Sequence, residues 1–215
     1  MRAAPIPGAK ERLQELKQRG YRYVLPSYSH LLVHCALSSR LIIITARSEK
    51  QREGTEDWLE LYLPDIFDEL HFTGAFQHLD PTPEEQHGHA ARKAVLSHHK
   101  RTKAEVVHRT NALLLIDDSA ENALEASRAS PPVKVLLFGR YPWNEVLLRP
   151  EEADEVDGMK YVDWLEKGLM GEVEARRTRR LQEGWLPDHV ERVGDWDQVV
   201  AWLERWEEAG RPALV

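Results

Sequence analysis

Apolar and polar residues alternate along this chain in blocks whose period changes from helical to extended and back. Ala9–Arg19 places Leu13 and Leu16 on one helical face, with Gly20 as a natural stop. Leu41–Thr45 (LIIIT) is β-branched and apolar up to its last residue, which predicts a strand covered on both faces. Glu49–Leu63 offers Trp58, Leu59 and Tyr62 as the buried stripe of a helix ended by Pro64, and Glu69–Gly74 (ELHFTG) reads as a short strand. Residues 75–89 carry prolines, a glycine and polar residues and read as a loop. A helix from about Lys103 to Arg109 follows, then a strand at Leu113–Ile116, a helix at Glu121–Arg128 and a strand at Val133–Phe138. Strands alternating with helices predict an α/β fold built on a parallel sheet. Beyond Asn144 the rhythm changes. The chain therefore divides into an α/β core, 1–144, and a mostly helical extension, 145–215, expected to pack on that core. Its last helix, Asp197–Glu207, has Trp196, Val199, Val200 and Leu203 at helical spacing.

Composition narrows the partners. A formal charge of −7 argues against a general nucleic-acid binder, because phosphate backbones reward a basic surface. Cys35 is the only cysteine, so no internal disulfide framework exists and a reducing compartment is expected. No apolar run is long enough to span a bilayer, and MRAAPIPGAKERLQ has no signal-peptide core. The expected location is cytoplasmic, with no membrane partner.

The chemistry concentrates in LLLIDDSAEN, Leu113–Asn122, where four apolar residues run into Asp117 and Asp118. Adjacent carboxylates repel each other, so a positive group belongs beside them. Parallel α/β sheets bind ligands outside the carboxyl ends of their strands, and Thr45 and Asp117 both fall at such ends. In chain order come a hydroxyl (Thr45), a lysine (Lys103 or Lys100) and the acid pair. A hydroxyl can hydrogen-bond a phosphoryl oxygen and a lysine can neutralise its charge. A strand-end carboxylate can hold Mg2+, a hard ion that prefers oxygen ligands and phosphate. Singly, each residue has a plainer reading: a strand-end threonine, a surface lysine, and aspartates capping the helix that starts after Ser119.

LIIITAR, KAEVV and LLLIDDSAEN resemble, in that order, the second, third and fourth motifs of the haloacid dehalogenase (HAD) superfamily. They are most like its 5'(3')-deoxyribonucleotidase-like branch and fungal relatives. PIPGAKERLQELKQRGYR resembles the segment leading into the second motif, and VLLFGRYPWN the strand and loop after the fourth. The likeness covers Pro5–Arg22 and Leu41–Asn144, with a weaker echo in Val190–Trp206. It implies a Rossmann-like core, a Mg2+ cofactor and phosphatase activity toward a small phosphorylated substrate, nucleotides among the candidates. It also implies that Thr45 orients the phosphoryl group and that Asp117 ligates the metal. Asp118 supports the metal site from behind or through water, and Asn122 is placed to hydrogen-bond the acid pair. Lys103 begins a helix, as the family's lysine does, and is preferred to Lys100.

The same resemblance calls for an aspartate nucleophile and an acid–base aspartate on a D-x-D at the end of a first, central strand. No aspartate stands upstream of Leu41. The single D-x-D, Asp195–Trp196–Asp197, is expected to have no apolar strand running into it and to open a helix, so it reads as an N-cap. The expectation is a HAD-like core without its first central strand and cap. Relatives run directly from a segment like GYR into one like LIIITAR. Here 18 residues, Tyr23–Arg40, intervene, so 22–40 reads as an insertion of retained-intron type. A spliced transcript joining Arg22 to Leu41 is the expected sequencing result, and a peptide spanning Tyr23–Arg40 would refute it. Loss of a central strand strips backbone partners from its neighbours and predicts marginal stability. HLLVHCAL (His30–Leu37) is apolar enough to serve as a surrogate strand.

Other motifs carry less. Seven of the ten histidines fall between His71 and His108, without the spacing of a zinc site. EEADEVD (Glu151–Asp157) reads as a solvated loop or helix start rather than a metal cage, and ARRTRR (Ala175–Arg180) as the exposed face of a charged helix. Three functions are thus in play: a phosphomonoesterase, a non-catalytic remnant that binds Mg2+ or a protein, and a receiver-like domain. The order Thr45, Lys103, Asp117 is the reverse of a receiver's.

Overall fold

The computed structural model describes residues 4–19, 40–74, 101–210 and 212. The chain forms two compact units, Met1–Val106 and Val107–Val215. Both carry parallel strands, as an α/β chain should.

In the first unit, helix α1 (Ala9–Gln18) buries Ala9, Leu13 and Leu16, the face its spacing predicts. Strand β1 (Ile42–Thr45) pairs in parallel with β2 (Glu69–Phe72), Ile42 opposite Glu69 and Thr45 opposite Phe72. A 3-10 turn (Glu49–Gln51) and helix α2 (Arg52–Tyr62) connect them. Lys17 Nζ donates to Ile66 O (2.8 Å) and Asp68 Oδ1 (3.2 Å). Asp68 Oδ2 accepts the Leu41 N–H (2.8 Å), and the Asp68 N–H donates back to Leu41 O (2.8 Å). This knot ties α1 to the start of the ladder and fixes the register of β1. Two expectations need correction. Every residue of β1 is half-buried rather than covered on both faces. Trp58, Leu59 and Tyr62 are likewise half-buried, while Thr55 and Leu63 are the buried positions. Among the described residues this unit has only a four-residue ladder of two strands, which presents too little apolar surface to cover a whole helical stripe.

In the second unit, β3 (Leu115–Asp117), β4 (Val135–Phe138) and β5 (Val190–Val193) form a parallel sheet in the order β3-β4-β5. The central strand β4 is buried at every residue, which its unbroken VLLF run requires. Helix α3 (Lys103–Thr110) precedes the sheet and contains the division between the units. Helix α4 (Ala120–Ser127) packs on β4 and β5, burying Ala123 and Ala126. Helices α5 (Tyr161–Glu166) and α6 (Met170–Glu183) follow, and α7 (Trp196–Glu208) packs on β5 through Val199, Val200, Trp202 and Leu203.

Strand β5 overturns one expectation, since a strand does run into the D-x-D. Its sequence, VERV, buries Val190 and Val193 around an exposed Glu191, so its polar centre hides it from a search for apolar runs. Asp195 is nonetheless a cap: its Oδ1 accepts the N–H of Gln198 (2.8 Å) at the start of α7.

ARRTRR lies on α6, as a charged helix should, but its arginines are paired. Arg176 reaches Asp154 (2.6 Å) and Glu172 (2.5 Å), Arg177 reaches Glu145 (2.8 Å), and Arg180 grips Asp157 with both Nη atoms (2.6 and 2.9 Å). Asp154 and Asp157, two of the carboxylates in Glu151–Asp157, thus serve as counter-ions for α6. Among the described residues no helix is long and apolar enough to cross a membrane. The 75–89 loop, Gly20, His30–Leu37, Cys35, Lys100 and residues 23–39 lie outside the described residues.

Candidate functional site

Strand β3 ends at Asp117, whose side chain is buried. Asp117 Oδ1 accepts the N–H of Ser119 (2.9 Å) and the Nδ2 of Asn122 (3.0 Å). Two donors on one oxygen fix the plane of the carboxylate. Ser119, not an aspartate, caps α4: its Oγ accepts the N–H of Asn122 (3.2 Å). The acid pair is therefore not spent as a helix cap. Asp118 is exposed, and its Oδ2 accepts Nε1 of Trp143 (3.3 Å).

The loop that follows β4 is organised by Asn144, a fully buried polar residue. Its Nδ2 donates to Phe138 O (2.8 Å) and to Asp118 O (2.9 Å), while its Oδ1 accepts the N–H of Tyr141 (3.0 Å). Arg192 on β5 completes the frame. Its Nη atoms donate to Gly139 O (3.1 Å), Asn144 Oδ1 (3.3 Å), Asn144 O (2.7 Å) and Glu145 O (3.3 Å). Desolvation by burial pulls the guanidinium down from its ordinary value, with Arg140 nearby adding to the effect. Through the Asp118 carbonyl, this frame links the ends of β3, β4 and β5.

In the first unit, Thr45 ends β1. Its Oγ1 accepts the Arg47 N–H (3.3 Å), and its carbonyl accepts the N–H (2.9 Å) and Oγ1 (3.2 Å) of Thr73. Three residues on, Ser48 is 2% exposed and its hydroxyl has no hydrogen-bond partner among the described residues. Lys103 is the first residue of α3 and is half-buried. Thr102 and Glu105 cap that helix reciprocally, each backbone N–H meeting the other's side chain at 3.1 Å. The structure thus gathers Asp117, Asp118 and Asn122 at one strand end, and places Thr45 and Lys103 in the other unit.

Among the described residues no three or more His, Cys, Asp or Glu side chains group as a metal site. His71, the first of the histidine-rich run, pairs with Glu69 (Nε2–Oε2 2.7 Å), and the pairs His87–His89 and His98–His99 lie outside the described residues. Mg2+ asks less of a protein than zinc does. It takes oxygen ligands, keeps several waters and is commonly held by one or two carboxylates together with substrate phosphate. Asp117 and Asp118 supply donors of that kind.

Asn122 met its expected role. Asn144, Trp143, Arg192 and Ser48 were not singled out by their sequence context. The one signal for Asn144 was a polar residue directly after a buried strand and a Pro-Trp turn. No protein-family model, curated protein or solved structure compared with this chain matches it.

Proposed function

We propose that this chain carries the metal- and phosphate-handling residues of a Mg2+-dependent phosphomonoesterase of the haloacid dehalogenase type, with small phosphorylated molecules of the nucleotide kind as ligands. One observation carries this reading: a buried carboxylate at the C-terminal end of a parallel strand, held in one plane by a backbone N–H and an amide, with a second carboxylate beside it. Mg2+, when bound, offsets phosphate charge and polarises the P–O bond. Asp117 is the ligand, Asp118 supports it, and Ser119 and Asn122 hold Asp117 in position. Thr45 orients a phosphoryl oxygen and Lys103 offsets its charge, roles that rest on the motif resemblance. Among the described residues the buried Ser48 hydroxyl, three residues after Thr45, has no partner, which supports an oxygen-rich ligand near that strand end, because buried hydroxyls seldom go unpaired.

A second reading has its own observation. The chain's single D-x-D begins with a residue spent on capping α7, so no described pair supplies nucleophile and acid–base aspartate. That observation favours, as the alternative, a non-catalytic binding protein without turnover.

The test measures calorimetric binding of inorganic phosphate to the full chain with and without Mg2+, beside hydrolysis of p-nitrophenyl phosphate. Mg2+-dependent phosphate binding is expected, weakened at least about tenfold by Asp117→Asn and less by Thr45→Ala, each step of ten being about 1.4 kcal/mol. Hydrolysis close to blank is expected. Turnover well above blank that Asp117→Asn abolishes would establish the enzyme and discard the binding-protein reading. Phosphate binding indifferent to both Mg2+ and Asp117 would overturn the proposal.

A further inference from the structure

Trp143 is 62% exposed, the most exposed large apolar side chain described, and it lies beside the acid pair. Leaving an indole in water forfeits the gain of burying it, so a surface tryptophan held in place asks for an explanation. This one is held twice. Its ring stacks on Tyr141, centroids 4.6 Å apart and planes 8° from parallel, and its Nε1 donates to Asp118 Oδ2 (3.3 Å). Tyr141 is seated in turn. A Cβ on Gly139 (φ +78°) would come within 2.3 Å of the Tyr141 ring, so the absence of a side chain there makes room for the stack. Asn144 and Arg192 fix the backbone on which both rings stand.

We infer that Tyr141 and Trp143 form a platform for a planar aromatic ring on the phosphorylated ligand, with a nucleobase as its intended occupant. The inference rests on the phosphate reading of Asp117, and it names the group that selects among phosphate esters. An indole already stacked on one neighbour and open to solvent offers a π-face to a further ring, and such stacking tolerates any base. The hydrogen bond to Asp118 puts the indole next to the carboxylates that would handle the phosphate. Exposure alone would not carry the point. Tyr161 is similarly exposed at 59%, and no stacking partner for its ring is described.

The experiment uses the full chain in Mg2+. Adenosine monophosphate, phenyl phosphate and inorganic phosphate are titrated calorimetrically into wild type, Trp143→Ala and Trp143→Phe. Adenosine without phosphate is followed by saturation-transfer NMR. Adenosine monophosphate is expected to bind wild type roughly 5- to 100-fold more tightly than inorganic phosphate, the range that one stacked base contributes. Trp143→Ala should bring that ratio close to one, and Trp143→Phe should retain much of it, since a ring is kept while the indole N–H is lost. Adenosine ring protons should receive saturation from wild type and not from Trp143→Ala. Phenyl phosphate matching the nucleotide would keep the platform but overturn the nucleobase as its intended occupant. A ratio near one in wild type, or one that Trp143→Ala leaves unchanged, would overturn the inference. If inorganic phosphate fails to bind at all, the Asp117 reading falls, and the adenosine NMR still decides the platform by itself.

Discussion

Asn144→Ala is expected to destabilise the second unit by roughly 3–4 kcal/mol, lowering its unfolding midpoint by about 10–20 °C. The side chain is fully buried and serves four partners: the carbonyls of Phe138 and Asp118, the N–H of Tyr141 and the guanidinium of Arg192. Alanine removes all four bonds and supplies none. A buried polar group left without a partner costs about 1–3 kcal/mol, far more than a hydrogen bond's net worth when both partners stay paired. The total stays below the simple sum because water can reach the end of the loop near exposed Asp118. Asn144→Asp keeps the shape but turns a carboxylate toward two carbonyl oxygens, so it should do no better than alanine. Urea unfolding followed by far-UV circular dichroism measures both. A loss under about 1 kcal/mol for alanine would mean that water replaces the amide and that the loop does not depend on it.

Asp157→Ala should cost about 2 kcal/mol and should also flatten the acid side of the stability curve. Asp157 and Arg180 form a two-pronged pair at 2.6 and 2.9 Å, with side-chain exposures of 14% and 11%. Breaking a deeply buried pair costs about 3–5 kcal/mol and an exposed pair about 0–1. This pair is shielded but close to the surface and falls between. Among the described residues Arg180 Nε is buried without a partner of its own, so losing the carboxylate leaves that guanidinium poorly matched. The pH dependence has a definite sign. The hydrogen bond from Arg180 holds the Asp157 carboxyl below the ordinary carboxylate range, against an opposing desolvation, and Arg176 does the same for Asp154. As acid is added, the unfolded chain takes up these protons first, near its ordinary value of about 3.9. The stabilisation is therefore complete only above about pH 5, begins to fade as the unfolded carboxyls titrate, and is lost as pH falls through the lower folded values. Thermal melts between about pH 2 and 5 should show a shallower decline for Asp157→Ala than for wild type; coincident slopes would dismiss the pair as a stabilising element.

What could be read from the residues beforehand follows burial. VLLF announces itself because a strand covered on both faces must be apolar at every position, and β4 falls where that run does. Leu13 and Leu16 reveal α1 for the same reason. LLLID marks the end of β3 at Asp117, but the strand begins at Leu115 rather than Leu113, which is exposed, and Ile116 is only half-buried. The DDSAEN segment gave away Asp117 and Asn122, since a strand end followed by a capping serine leaves few places for an acid and an amide to go. Strand β5 was hidden because a strand with an exposed glutamate at its centre has no apolar run to show. Asn144 was hidden for a different reason. Three of its four partners are backbone atoms, at Phe138, Tyr141 and Asp118, and main-chain hydrogen bonding leaves no mark in the partner's residue type. Trp143 looked like one more tryptophan among seven until its stacking and exposure could be seen together.

The loop after β4 owes its course to Arg192, which holds it by the carbonyls of Gly139, Asn144 and Glu145. Carbonyls are common to all residues, so this grip is indifferent to what stands at positions 141 to 143. Those residues can be exchanged over evolutionary time, or in a library, while the course of the chain is kept. A lineage could in this way refit the surface beside the acid pair to new ligands without rebuilding its foundations.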